Sequence, residues 1–179
     1  MKKLFISAAA LLLFVGCNND KPASESMNKE NNTTVKEGTQ ETKEEQNRQI
    51  ALTCIKAWSN GNIDEIVKHL SKNTADLGDE STPPARGIDS VKYFMQLWNS
   101  SVNNYKSDNE LAVADGDYVF VYAGWSGTFK ADFMGMKTTG KSFKFKDVDI
   151  FKFDDESKIT EHRAVHFSTV LKQLASQAK

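Results

Sequence analysis

Apolar positions along this chain follow two successive rhythms. From Gln49 to Trp58 they recur at Ile50, Cys54, Ala57 and Trp58, the spacing that turns one face of a helix towards a core. Asn60-Gly61-Asn62 stops that helix, and Asn62 can cap a second one over Ile63–Leu70. Thr74–Arg86 reads as an acidic loop, because Pro83-Pro84 forbids a regular helix there. A third helix is predicted from Asp89, its side chain serving as cap, with Val91, Phe94, Met95 and Trp98 in one apolar stripe. After Val102 the period shortens towards two. Strands are predicted at Asn104–Ala114, Tyr118–Phe129, Lys141–Phe153 and Lys158–Phe167, with turns at Asp115-Gly116-Asp117 and Asp154–Ser157. Val170–Ala178 closes the chain as a short helix. Helices followed by an antiparallel meander define an α+β layout.

The first 47 residues have a different character. Lys2 and Lys3 precede an apolar run, Leu4–Val15, that is too short to span a bilayer as a mature helix. It ends in Phe14-Val15-Gly16-Cys17, which resembles a bacterial lipobox, although Phe14 is bulkier than the usual Leu. The expectation is a signal peptide over residues 1–17, acylation of Cys17, and export to a bacterial membrane surface. An ordinary signal peptide or an uncleaved anchor is the alternative. Acyl chains contribute about 0.8 kcal/mol per buried CH₂, so they hold a protein on a membrane without a spanning helix. Residues 18–47 are dominated by Asn, Lys, Glu, Thr and Ser and contain no aromatic, the composition of a tether that cannot offset its chain entropy by burial. Its last residues, Lys43–Arg48, fit equally well as an extension of the first helix. Residues 48–179 are then one domain of ordinary size.

A formal net charge of −1 without a basic stripe among the aromatics argues against nucleic acid as a partner. With Cys17 assigned to the lipid, Cys54 stands alone and reads as a small buried apolar group.

Several short motifs follow one another in a specific order. Gly116-Asp117 leads into a strand with Val119 and Val121; then come Ser126-Gly127-Thr128, Phe133-Met134-Gly135-Met136 and Thr138-Thr139-Gly140-Lys141. Asp149-Ile150-Phe151-Lys152-Phe153, Lys158-Ile159, Glu161-His162-Arg163 and the tail Val170-Leu171-Lys172-Gln173-Leu174 complete the series. In this order they resemble the SnoaL-like (polyketide-cyclase-like) branch of the nuclear-transport-factor-2-like superfamily. The resemblance implies a cone-shaped pocket that hosts isomerases, cyclases, dehydratases and plain binding proteins, and a frequent homodimer through the outer face of the sheet. Two positions depart from the family pattern. Arg163 replaces a Trp, and the acid/base Asp of cyclase members, expected a few residues further on, is replaced by His166 or Phe167.

Alternation along Lys141–Phe153 places Phe143, Phe145, Asp147, Asp149, Phe151 and Phe153 on one face and Lys144, Lys146, Val148, Ile150 and Lys152 on the other. Lys is costly to bury, so the Phe/Asp face is expected to point inward, unless a bulge reverses the register midway. Asp149 and Asp147 among aromatic rings are the candidate acid/base residues, since desolvation raises a carboxyl pKa towards the useful range. His162 or Tyr122 is the candidate donor to a developing enolate. Tyr93, Trp98, Tyr122, Phe143, Phe145, Arg163 and His166 are the candidate ligand contacts. Arg163 could meet an anionic group, but a pairing with Glu161 on the same face is preferred. Asp76 and Asp79 are read as exposed loop carboxylates at the pocket rim. His162 and His166, on one face of a strand and roughly 13 Å apart, cannot share a metal ion, so neither metal nor cofactor is expected. The sequence thus predicts a tethered domain that binds a small apolar or carbonyl-containing molecule. An isomerase/cyclase-type enzyme and a homodimeric interaction module are the alternatives.

Overall fold

A computed structural model of the chain describes residues 41–80 and 83–176. The signal peptide, the Cys17 lipidation site and the tether up to residue 40 lie outside the described residues.

Helix α1, Lys43–Ser59, starts where the Thr42 hydroxyl accepts from the Glu45 N–H, with Glu44 and Glu45 in the positive first turn. The end of the polar segment is therefore helical, and its Asn47 is fully buried. Asn62 caps α2, Ile63–Val67, through its side-chain oxygen and the Glu65 N–H, 3.3 Å apart. This helix stops three residues short of the predicted end, because the chain enters the sheet. Leu70–Asp76 is strand β1, where the sequence reads as helix end and loop. It pairs parallel with a strand almost ninety residues further on, a long-range partnership that local periodicity does not report. The short β2, Ala85–Arg86, pairs antiparallel with β1.

Helix α3, Ile88–Ser101, begins at Gly87, whose φ of 79° is in the region glycine tolerates best. Asp89 lies inside the first turn and is not the cap; no side chain caps this helix. The meander follows as β3 (Val102–Asp115), β4 (Tyr118–Phe129), β5 (Ser142–Phe153) and β6 (Ile159–Ala164). The predicted last strand ran to Phe167, but Phe167 already opens α4, Phe167–Ser176. The chain leaves the sheet because carboxylates take up the next amides: the His166 N–H donates to Asp147 and the Ser168 N–H to Asp79.

The six strands form a curved, unclosed sheet in the order β2-β1-β6-β5-β4-β3, with helices over its concave face. β4 and β5 pair without interruption from Tyr118↔Lys152 to Thr128↔Ser142, so no bulge reverses β5. The expected alternation holds along it. Phe143, Asp147, Asp149, Phe151 and Phe153 are buried on the concave side, and Lys144 and Lys146 are exposed. One core joins α1 and α3 to Val119, Val121 and Trp125 of β4; a second gathers Trp98, Phe129, Phe133 and Phe143 with Leu171 and Leu174 of α4. Burial of each such side chain stabilises the fold by about 1.5–3 kcal/mol.

Candidate functional site

Strand register assembles the site. β5 and β6 align Phe151 with His162, and the parallel β1 aligns Asp76 with His162 from the other side. The imidazole therefore stands between two carboxylates. Its Nδ1 is 3.3 Å from Asp76 Oδ1 and its Nε2 is 3.1 Å from Asp149 Oδ1, while its ring rests against Phe151 with centroids 4.9 Å apart. An imidazole can donate through both nitrogens only when it is protonated. Burial disfavours that charge, but the Asp76 carboxylate and the hydrogen bonds to Asp149 and Asp76 outweigh it and lift the His162 pKa to about 10. For Asp76, burial pulls the opposite way and is again overcome: His162 and the Gly78 N–H hold its pKa below the ordinary value. Asp149 is 6% exposed, and its Oδ2 has no hydrogen-bond partner among the described residues.

Two residues on, Asp147 accepts from the Val148 and His166 amides at 2.7 and 2.9 Å. Burial nevertheless raises its pKa, and the Asp149 charge adds to the effect. The Tyr105 hydroxyl accepts from the Trp58 indole at 2.9 Å, and burial, with Asp149 next in effect, pushes its pKa well up, which leaves a neutral phenol. These groups line a cavity of about 480 Å³ whose remaining wall is largely apolar, including Trp58, Met95, Trp125, Phe145 and Phe151. Cys54 also lines it. Burial pushes its thiol up to about 12, which keeps it neutral and unreactive.

The predicted residues divide. Asp149, Asp147, His162 and Phe145 meet at the cavity. Phe143 and Trp98 are core instead: Trp98 is 1% exposed and packs on Trp58, Tyr105, Phe129, Phe133 and Phe167. Tyr122 points to the opposite side of the sheet, because it alternates with the inward Val121 and Ala123, and Lys146 lies over its ring. It cannot serve the cavity. Tyr93 is 68% exposed on the outer side of α3, beside Pro83 and Pro84. Arg163 pairs with Glu80 rather than Glu161, which faces Lys152, and it does not line the cavity. His166 lies beyond the end of β6 and so does not share a strand face with His162; its exposed ring sits 3.4 Å from Asp147. Asp76 belongs to a strand and is mostly buried, not an exposed loop carboxylate. Tyr105 is the contributor that sequence reading missed, and Asp76 is one it placed at the rim rather than against His162. Among the described residues, no group of three or more His, Cys, Asp or Glu side chains could hold a metal ion.

This combination of an unclosed curved sheet, covering helices and a polar wall inside an apolar hollow is the cone fold of nuclear-transport-factor-2-like proteins. The model of the family "SnoaL-like polyketide cyclase" matches residues 48–174, and the chain belongs to that family. Solved structures agree on the fold. A candidate polyketide cyclase of Xanthomonas campestris pv. campestris superposes with a TM-score of 0.66 at 16% identity, over 74% of this chain and 99% of that one. A SnoaL-like candidate cyclase of Jannaschia sp. CCS1 gives 0.63 at 19% identity, over 72% and 92%. A protein of ketosteroid isomerase-like fold from Catenulispora acidiphila, in complex with trimethylamine, gives 0.58 at 16% identity, over 73% and 98%. No curated protein matches the sequence.

Proposed function

We propose that this domain binds a small, largely apolar molecule in its cone, without necessarily turning it over, while a lipid on Cys17 holds it at the outer side of a bacterial membrane. The observation that carries the binding reading is the cavity itself: about 480 Å³, mostly apolar, with polar groups converging on one wall. The trimethylamine complex of a neighbour with the same fold supports a small-molecule occupant. The test is native mass spectrometry of the full-length protein, purified in mild detergent. A small molecule retained at one per chain is expected; a reproducibly empty chain that also binds no apolar probe would refute it.

Binding is favoured over catalysis because His162 is committed. An imidazolium fixed between two carboxylates cannot accept a proton, so any proton abstraction falls to Asp149 or Asp147. If the co-purified molecule has a proton next to a carbonyl and wild-type protein exchanges it while Asp149→Asn does not, the isomerase/cyclase reading replaces the binding one.

The lipid anchor rests on Phe14-Val15-Gly16-Cys17 and the preceding apolar run. Cys17→Ser is expected to remove the acyl mass and release the protein from the membrane fraction. Retention there would favour an uncleaved anchor. The homodimer reading has its own observation, an apolar outer sheet face with Leu111, Val113, Phe120 and Tyr122 exposed.

A further inference from the structure

We infer that the cavity selects a cation: a small amine with a hydrocarbon body, whose ammonium N–H donates to Oδ2 of Asp149. This deepens the binding proposal above and rests on it. Four carboxylates, those of Asp76, Asp79, Asp147 and Asp149, line the cavity with one imidazolium, His162, and one ammonium, Lys172. With His162 and Lys172 charged, an excess of one negative charge remains if Asp147 is protonated, and of two if it is ionised. The nearby cations do not cancel this excess. The His166 ring is 60% exposed, and Lys172 is itself exposed on α4.

The second observation is independent of the charge count. Asp149 Oδ2 is a buried acceptor that no group among the described residues satisfies. An unsatisfied buried carboxylate oxygen is costly, and a donor brought by a ligand removes that cost. The wall around it suits the rest of such a ligand. Trp58, Tyr105, Trp125, Phe145 and Phe151 line it with aromatic rings, a ring type whose π system attracts ammonium groups as well as hydrocarbon. An anion would meet like charge at the polar wall, where both nitrogens of His162 are already occupied. A neutral carbonyl is the stronger competitor, because the Tyr105 hydroxyl accepts from Trp58 and still has its own proton to give. Net charge decides between the two.

Three ligands of nearly equal shape separate these outcomes: N,N-dimethylcyclohexylamine, cyclohexyl methyl ketone and cyclohexanecarboxylate. Their affinities for the full-length protein at pH 7.5 can be read by calorimetry and by quenching of the tryptophans, two of which line the cavity. The amine is expected to bind about ten- to a hundredfold more tightly than the ketone, the range of a charged hydrogen bond, with the carboxylate weakest. In Asp149→Asn the amine should fall to the level of the ketone, while the ketone itself is little changed. Asp147→Asn is a second variant should the first fold poorly, and it should weaken the amine by a smaller factor. A ketone or carboxylate that binds wild-type protein as tightly as the amine overturns the inference and leaves the binding proposal standing. If none of the three binds, nor any neutral apolar probe, both fall together.

Discussion

His162 is the residue whose chemistry the fold controls most tightly. Held between Asp76 and Asp149, it is expected to titrate near pH 10, so its imidazole resonances should stay in the protonated position through pH 8. A midpoint between 6 and 7 in an NMR titration would contradict the doubly donating geometry. Asp76→Asn removes the first-ranked of its favourable partners and should move the midpoint down towards the ordinary 6.5, at a cost of about 1–3 kcal/mol in stability. The sign of the pH dependence follows from linkage. The folded pKa of His162 is raised, so its contribution to stability is complete below about pH 6.5 and disappears as pH rises through about 10. Asp76 has a lowered pKa, so its contribution is present above its ordinary value of 3.8 and fades as pH falls below it. The thermal advantage of wild type over His162→Gln should therefore be greatest between about pH 4 and 6.5 and shrink towards pH 10. A constant difference across that range would show that His162 stabilises the fold by packing alone.

At the scale of elements, the strands were legible where their alternation is unbroken and misleading where it is not. β5 was legible up to the question of a midway bulge, which its unbroken pairing with β4 answers. Lys at every other position of its first half made the choice of face, and so Asp147 and Asp149 were placed correctly beside Phe145 and Phe151. β3 behaves differently because its register shifts twice, after Asn103 and after Asp108. Asn104 and Asn109 sit at these irregularities with φ of 53° and 54°. Tyr105 faces the cavity, yet beyond the second shift Leu111 and Val113 point outward and Ala112 and Ala114 inward. The two shifts cancel at the ends, so counting by twos back from Ala114 and Ala112 puts only the middle of β3, Tyr105 included, on the wrong face. Asp76 was read as a rim carboxylate for another reason. Its strand is polar, short and paired in parallel with a distant one, so nothing in Leu70–Asp76 itself announces that it lies against His162. Tyr122 was misassigned through its chemistry, a phenol on a strand, although Val121 beside it marks the inward face. The bulge at Asn109 can be tested directly. Asn109→Gly should be neutral or slightly stabilising in chemical denaturation, whereas Asn109→Val should cost about 1–2 kcal/mol, the penalty of a β-branched residue in the left-handed region.

For the whole molecule, the same register shift that hides Tyr105 also puts apolar side chains on the outer face of the sheet. Leu111 and Val113 come to lie opposite Tyr122 and Phe120, which in turn lie opposite Val148 and Ile150, so an apolar band crosses three strands on the side away from the cavity. Its flanks are oppositely charged. β3 contributes exposed Asp108 and Asp115 beside Lys106, while β5 contributes Lys144, Lys146 and Lys152 on the same face. A twofold axis parallel to the strands would lay β3 of one copy over β5 of the other. Asp108 would then face Lys146 and Asp115 face Lys152, with Lys106 against Lys144 the one like-charge contact and apolar facing apolar at the centre, the near self-complementarity that a symmetric dimer requires. An axis across the strands would instead stack β3 on β3 and set like charges together. The expected species in sedimentation experiments is therefore a dimer that weakens modestly with salt, since the flanking pairs are exposed while the apolar band is not screened. Phe120→Asp should convert it to a monomer while leaving ligand affinity intact, because Phe120 and the cavity lie on opposite sides of β4. A wild-type protein that sediments as a monomer at tens of micromolar would reject the pairing and leave that face to some other partner. Loss of ligand binding in Phe120→Asp would instead reveal that the two faces are coupled through the sheet.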